Sequence, residues 1–259
     1  MGGISTLQRV LSVGIERQAV HQGSMATVVL ALGGSLLRPE VEQRHAWLTE
    51  LVCIIKDRVA AGDRLGLVVG GGAPAREGIE LARPIIDDLD HLDRIGIAAT
   101  RLNATIIREA LADEGVAVSQ TIPRSVEEAI EHLSSEAVVV MGGTVPGHTT
   151  DAVAIRLSVG SGAAKCIIAT NVSKVYSEDP RKNPDAEAFE SLTLNQLQSI
   201  VGPSEHSKAG GSQVVDPVGV GEAVKHQMPL DILDGRDPHC IKMALEGRDF
   251  GGTVVSVKP

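Results

Sequence analysis

Three times in its first two thirds the chain runs through a short stretch of small apolar residues and stops on glycine. TVVLAL at 27–32 ends in Gly33-Gly34-Ser35, LGLVV at 65–69 in Gly70-Gly71-Gly72, and VVVM at 138–141 in Gly142-Gly143-Thr144. A short apolar run bounded by turn residues reads as a strand buried on both faces. Between these runs the apolar spacing changes to three or four residues, as at Val41, His45, Leu48, Leu51, Val52, Ile55 and Val59, which is the period of a helix. Strands alternating with helices build a mostly parallel sheet with helices on both faces. The expected fold class is therefore α/β, a three-layer α/β/α sandwich. Parallel strands bring their carboxyl ends to one edge, so the three glycine loops are expected to meet there as convergent backbone nests for phosphate.

The third loop carries the most chemistry. After Gly143 come Thr144, Val145, Pro146, Gly147, His148, Thr149, Thr150 and Asp151, and helical spacing begins at Ala152. Thr149, Thr150 and Asp151 are good N-cap types, so the loop leads onto a helix N-terminus, which favours an anion. The rest of the chain reads as helices over 41–61, 73–82, 92–115, 193–200, 216–227 and 238–246. A capping box at Ser125 to Glu128 opens a helix ending near His132, and the helix after Asp151 ends near Gly160. Further strands are expected over 116–121, 165–170, 230–233 and 253–257. Residues 181–189 read as an exposed connection and 202–213, rich in Gly, Ser and Lys, as mobile.

Composition narrows the function. Aromatic residues make up 2% of the chain, so base stacking on a row of rings is excluded. The formal net charge is -9, which leaves any phosphate site local and argues against nucleic acid as a partner. No apolar run reaches the ~20 residues of a membrane span, and no signal peptide is evident. Cys53, Cys166 and Cys240 are odd in number and lack a CxxC spacing, so they read as small buried hydrophobes in a reducing cytoplasm. Residues 1–24 read as an N-terminal extension (a tag, an over-long reading frame or a short helical arm), and Met25 as the natural start. The P-loop, the GxGxxG fingerprint and HExxH are all absent.

What remains is phosphate chemistry on another scaffold. VVGGGAPAR at 68–76, DRIGIAATRLNA at 93–104, MGGTVPGHTTDAVA at 141–154, TNVSKVYSEDP at 170–180 and AGGSQVVDP at 209–217, together with Gly33-Gly34-Ser35, resemble the amino acid kinase superfamily and, within it, the archaeal uridylate (UMP) kinases. The resemblance runs in order from Met25 to Pro259. It implies phosphoryl transfer from ATP to UMP, giving UDP in pyrimidine nucleotide biosynthesis, with Mg2+ accompanying ATP. It further implies a cytoplasmic homo-oligomer, a hexamer, with a monophosphate-binding and oligomer-forming part at 25–164 and an ATP-binding part at 165–259. By the same resemblance Gly33, Gly34, Ser35 and Arg76 are catalytic. ATP would be bound by Ala31, Leu32, Gly33, Gly34, Ser35, Gly72, Arg76, Thr170, Asn171, Tyr176 and Asp179. UMP would be bound by Gly71, Asp93, Thr144, Val145, Pro146, Gly147, His148, Thr149 and Thr150.

The chain departs from the family pattern at three places. Ala31 stands where many members have Lys. Ser173-Lys174 replaces Asp-Gly in N-V-D-G-V-Y. The helix after Asp216-Pro217 offers Val218 to Glu222 where a Lys is usual, with Lys225 about a turn late and Lys208 as a possible substitute. These leave two alternatives open: a non-catalytic nucleotide- or oxyanion-binding or storage relative, and a superfamily kinase with a different acceptor. An isopentenyl phosphate kinase fits less well, because the His beside its glycine triplet is Val68 or Val69 here.

Overall fold

The computed structural model describes residues 26–37, 44–180, 182–203 and 215–258. The N-terminal extension, the first residues of the 41–61 helix and most of the glycine-rich 202–213 segment, with Lys208, lie outside these residues. Strands β1 (Thr27–Leu32), β2 (Arg64–Val69), β3 (Val138–Met141), β4 (Cys166–Thr170), β8 (Leu230–Asp234), β9 (Thr253–Ser256) and β7 (Ser191–Thr193) form one seven-stranded sheet in the order β3-β2-β1-β4-β8-β9-β7. All neighbours are parallel except β8 and β9. A separate antiparallel pair joins β5 (Val175–Tyr176) to β6 (Ala188–Phe189).

Alternation along the strands sorts the core into two layers. Val29, Ala31, Val68, Val139, Met141, Cys166 and Ile168 face helices α4 (Val126–Ser135), α5 (Thr150–Gly160), α6 (Leu194–Val201) and α7 (Pro217–His226). Val28, Leu30, Leu32, Leu65, Leu67, Val69, Val140 and Ile167 face α1 (Arg44–Ala60), α3 (Leu89–Asp113) and α8 (Pro238–Leu245). The remaining helix, α2 (Gly72–Ala82), packs along α3. The expected α/β/α sandwich is what the chain builds.

Local details differ from the sequence reading. Residues 116–121 make one bridge, Val118 to Val138, rather than a strand. The 181–189 connection carries β6, and the edge strand β7 follows it, because both pair by backbone and need no apolar run. Helix α3 begins at Leu89, three residues earlier than its apolar spacing suggests, because Asp88 accepts the N–H of His91 as an N-cap. At α4, Ser125 caps the Glu128 N–H, but the Glu128 carboxylate turns to the Arg124 N–H, so the box does not close on Ser125. The reciprocal box belongs to Thr193 and Gln196. Of the cysteines only Cys166 is buried, its thiol pushed up to about 12 by burial and so inert. Cys53 is exposed on the outer side of α1 and Cys240 half-buried.

The strand order reverses between β1 and β4: from β1 the sheet grows to β2 and β3 on one side, then to β4 and β8 on the other. The crevice beyond the carboxyl ends at such a reversal is where open α/β sheets bind ligands.

Candidate active site

Gly33-Gly34-Ser35 leaves β1 at that reversal. The Gly33 N–H donates to the carbonyl of Ala169 on β4, and the chain turns at once into a short 3-10 segment, Gly34–Leu37. Leu36 pins this turn into the core. Ala31 and Leu32, both placed in the ATP site by resemblance, are core residues on opposite faces of the sheet at 2% and 1% exposure. Their side chains are not available to a ligand.

The second loop is pressed against the first. A Cβ on Gly34 would lie 2.1 Å from the Gly72 nitrogen, and one on Gly72 would lie 2.1 Å from the Gly34 carbonyl oxygen. Gly72 also has φ +60°, a conformation that favours glycine. The Gly70 N–H donates to Leu32 O, and this second loop is held by Asn103, whose amide donates to Gly70 O at 2.8 Å and Gly71 O at 3.0 Å. Gly72 opens α2, and Arg76 one turn later is exposed, with no ion pair among the described residues.

The third loop is held by the same helix. Thr100 accepts the Gly143 N–H at 2.7 Å and donates to Ile97 O. Gly142 rests on the Thr100 backbone, where a Cβ would sit 2.8 Å from its carbonyl carbon. Val145-Pro146-Gly147-His148 then forms a turn closed by the His148 N–H on Val145 O, with Pro second and Gly third at φ +80°. That residue pattern is the type II turn. The freed Gly147 N–H donates to Asp93 Oδ2 at 2.8 Å, so α3 ties this loop twice. The three loops do converge, but not as three open nests: the N–H groups of Gly33, Gly70 and Gly143 are each taken within the protein.

Thr149 caps α5 by accepting the Ala152 N–H, and its hydroxyl hydrogen goes to Asp216 Oδ2 at 3.0 Å. Thr150 starts the helix, half-buried like Thr144. Asp216 caps α7 through the Gly219 N–H and gives its own N–H to Asp151. Two helix N-termini and two carboxylates thus meet at one point. Burial of the Asp151 carboxyl raises its pKa to about 6; the Asp216 N–H opposes that rise and the Asp216 charge adds to it.

On the other side of β1, Thr170 ends β4 and receives the Gly235 N–H on its carbonyl; Trp47 donates to Gly235 O at 2.7 Å. Asn171 is exposed. The Tyr176 hydroxyl bonds the Ser173 hydroxyl at 2.8 Å, and the Val175 N–H donates to Thr253 on β9. Asp179 accepts the N–H groups of Lys182 and Asn183 on its carbonyl, closing the turn that leads to β6. Lys174 is paired with Glu190 at 2.8 Å, which answers where this substituted residue points.

Sequence reasoning named no role for Thr100 and Asn103. Both are polar residues at 7% and 3% exposure, one helical turn apart on the face of α3 that meets the loops. A Thr and an Asn spaced three apart within an otherwise apolar helix face were the signal.

A model of the amino acid kinase family matches residues 26–234. The chain is 40% identical over 232 residues to the uridylate kinase of Methanospirillum hungatei, covering 90% of this chain and 95% of that protein. It is 40% identical over 208 residues to that of Methanocaldococcus jannaschii, covering 80% and 90%. Among solved structures, the uridylate kinase of Archaeoglobus fulgidus superimposes with TM-score 0.76 at 36% identity, over 90% of this chain and 100% of that one. The UMP kinase of Bacillus anthracis, 21% identical, shares the fold with TM-score 0.73, over 92% and 98%.

Proposed function

The chain belongs to the amino acid kinase family, and we propose that it is a uridylate kinase, moving the γ-phosphoryl group of ATP to a phosphate oxygen of UMP and releasing UDP and ADP. The observation that carries this is the glycine pair at the β1–β4 reversal, jammed against Gly70-Gly71-Gly72 on one side and bonded to β4 on the other. Such a seam offers backbone to two phosphorylated ligands from opposite sides. UMP would lie against Gly71, Asp93 and the 144–150 loop, and ATP against Thr170, Asn171, Tyr176 and Asp179. This amounts to an acceptor part at 25–164 and a donor part at 165–259.

Phosphoryl transfer asks a protein mainly for in-line positioning and for charge on the equatorial oxygens. Backbone N–H groups at the Gly34 and Gly72 seam would approach those oxygens without a side chain in the way. Arg76 is the cation we assign to them, since Ala31 is buried and Lys174 is paired with Glu190. The attacking phosphate oxygen already carries negative charge, so no general base is needed. No group of three His, Cys, Asp or Glu converges among the described residues. That donor set suits Mg2+ carried on the nucleotide phosphates rather than a caged ion. Its chemistry would be to neutralise the charge on the phosphates, alongside Arg76.

The apolar side chains of Leu81, Ile85, Leu89, Leu102 and Ile106, on α2, α3 and the turn between them, are 43–87% exposed. We assign this strip to a subunit contact in a homo-oligomer, a hexamer in our reading. No described helix is long and apolar enough to cross a membrane; we read the enzyme as acting in the cytoplasm, in pyrimidine nucleotide synthesis.

ADP release with Mg-ATP against UMP, CMP, AMP, GMP, carbamate and an acyl-amino acid tests the reading. Turnover with UMP alone is expected; turnover with another acceptor overturns the UMP half. The pairing of Lys174 away from the phosphates favours one second reading, a binding-only relative. That reading requires nucleotide to be retained with no turnover on any acceptor.

A further inference from the structure

Helix α5 follows the loop assigned to UMP, and α7 belongs to the part assigned to ATP. Two of the ties between them are helix caps: Thr149 to Asp216, and the Asp216 N–H to Asp151. A third is different. Arg156, two turns into α5, has Nη1 at 2.9 Å from both ring nitrogens of His148. The two nitrogens flank a ring carbon, so an in-plane approach to both at that distance would collide with it, and the guanidinium must sit over the ring face. Its Nη2 donates to Glu222 Oε1 on α7 at 2.9 Å. Glu222 Oε2 lies 3.5 Å from His226 Nε2. The Arg156 bond holds the Glu222 carboxyl below the usual range, against the opposing effect of burial.

Arg156 can reach His148 because long helical side chains lean toward the N-terminus of their own helix. It can hold both partners at once because a guanidinium presents separate nitrogens from one rigid plane; an ammonium on a flexible stem cannot cover a ring and reach a carboxylate in another direction. Nothing in the uridylate kinase resemblance assigns Arg156 or Glu222. His148 is one residue before the Thr149 cap and one after Gly147, whose N–H is held by Asp93. The loop is therefore held at its turn from α3 and at its exit from Arg156.

We infer that Arg156 is a positioning residue, clamped by Glu222 on α7, that fixes the His148 end of the acceptor loop. The inference rests on the uridylate kinase reading for the name of the acceptor, but the anchoring of the loop does not. The Arg156 and Glu222 side chains are 30% and 16% exposed, so solvent screens the pair only in part, and thermal unfolding measured beside the kinetics separates a loss of loop anchoring from a loss of fold stability.

The test compares wild type, Arg156→Ala, Arg156→Lys and Glu222→Gln by kinetics and by amide exchange of peptides covering 144–149. For Arg156→Ala the expected result is a KM for UMP raised about tenfold, a KM for ATP within about twofold, and exchange at 144–149 faster by about tenfold with β1–β4 unchanged. Arg156→Lys restores thermal stability to wild type but not the KM for UMP, a split that a merely structural ion pair would not give. Glu222→Gln shows the same pattern, smaller. Unchanged exchange at 144–149 in Arg156→Ala overturns the inference, as does a rise of both KM values in step with a fall in Tm. If wild type turns over a different acceptor, the UMP reading fails alone, and exchange still decides the anchoring.

Discussion

On the β2 side of β1 backbone touches backbone; on the β4 side the close approaches are made mainly by side chains. A Cβ on Gly34 would meet the Gly72 nitrogen at 2.1 Å, whereas one on Gly33 would meet the Ala169 carbonyl oxygen at 3.2 Å. Beyond β4 the segment is held by Trp47 on Gly235, Ser173 on Tyr176, Lys174 on Glu190 and Thr253 on Val175. A seam of bare backbone admits one residue type, because any Cβ must displace the opposite strand's loop. A seam of side chains admits substitution, because a new side chain finds a new partner. Ser173-Lys174 lies on the tolerant side and the Gly70-Gly71-Gly72 triplet on the other.

The largest effect should come from adding one methyl to the tight seam. Gly34→Ala is expected to cost about 3 kcal/mol or more in urea unfolding and at least about 100-fold in turnover, with Gly33→Ala at less than half that cost. Equal effects at the two positions would erase the contrast.

Asn103→Ala removes the amide that serves Gly70 O and Gly71 O, leaving two carbonyls facing a buried gap. A loss of about 2–3 kcal/mol is expected, with the KM for UMP rising more than that for ATP. A change confined to ATP would mean α3 supports the wrong side.

Asp151→Asn sharpens the picture through pH. Burial raises the folded Asp151 carboxyl from its ordinary value of 3.8 to about 6, so between these values the folded chain binds a proton that the unfolded chain has lost. Stability is therefore greatest at low pH in this respect and falls as pH rises through the window. The Asn variant should gain on the order of 2 kcal/mol above pH 7 and nothing below about pH 4. Unfolding curves at pH 4, 6 and 8 give the sign directly; a gain independent of pH would remove burial as the cause.

Lys174→Ala should do least. Its partner Glu190 is 84% exposed, so stability should move by no more than about 0.5 kcal/mol and the KM for ATP by less than about twofold. A tenfold loss of ATP affinity would show that this lysine serves the nucleotide after all.

Much of the fold was legible because its signals are local. The runs at 27–32, 65–69 and 138–141 announce strands by composition, and Thr149, Asp216 and Gln196 sit at helix starts that short-range chemistry selects. The pieces that sequence missed have no such signature. The edge strand Ser191–Thr193 and the pair at Ala188–Phe189 exist through pairing with β9 and β5, and 116–121 fails as a strand because only Val118 finds a partner on β3.

The site divides in the same way. Sequence by itself determined the strand–glycine–helix units, the type II turn at Val145 to His148 and the two helix caps, since each depends on φ preferences and hydrogen bonds within a few residues. Only the tertiary structure decided what each group is used for. It took the Gly143 N–H for Thr100, the Thr149 hydroxyl for Asp216 and Lys174 for Glu190, and it set Arg156 between His148 and Glu222. A polar group's partner is chosen by which elements pack beside it. That choice is made over separations of 8 to 67 residues in these five contacts, and in four of them over 16 or more, beyond the reach of any local pattern.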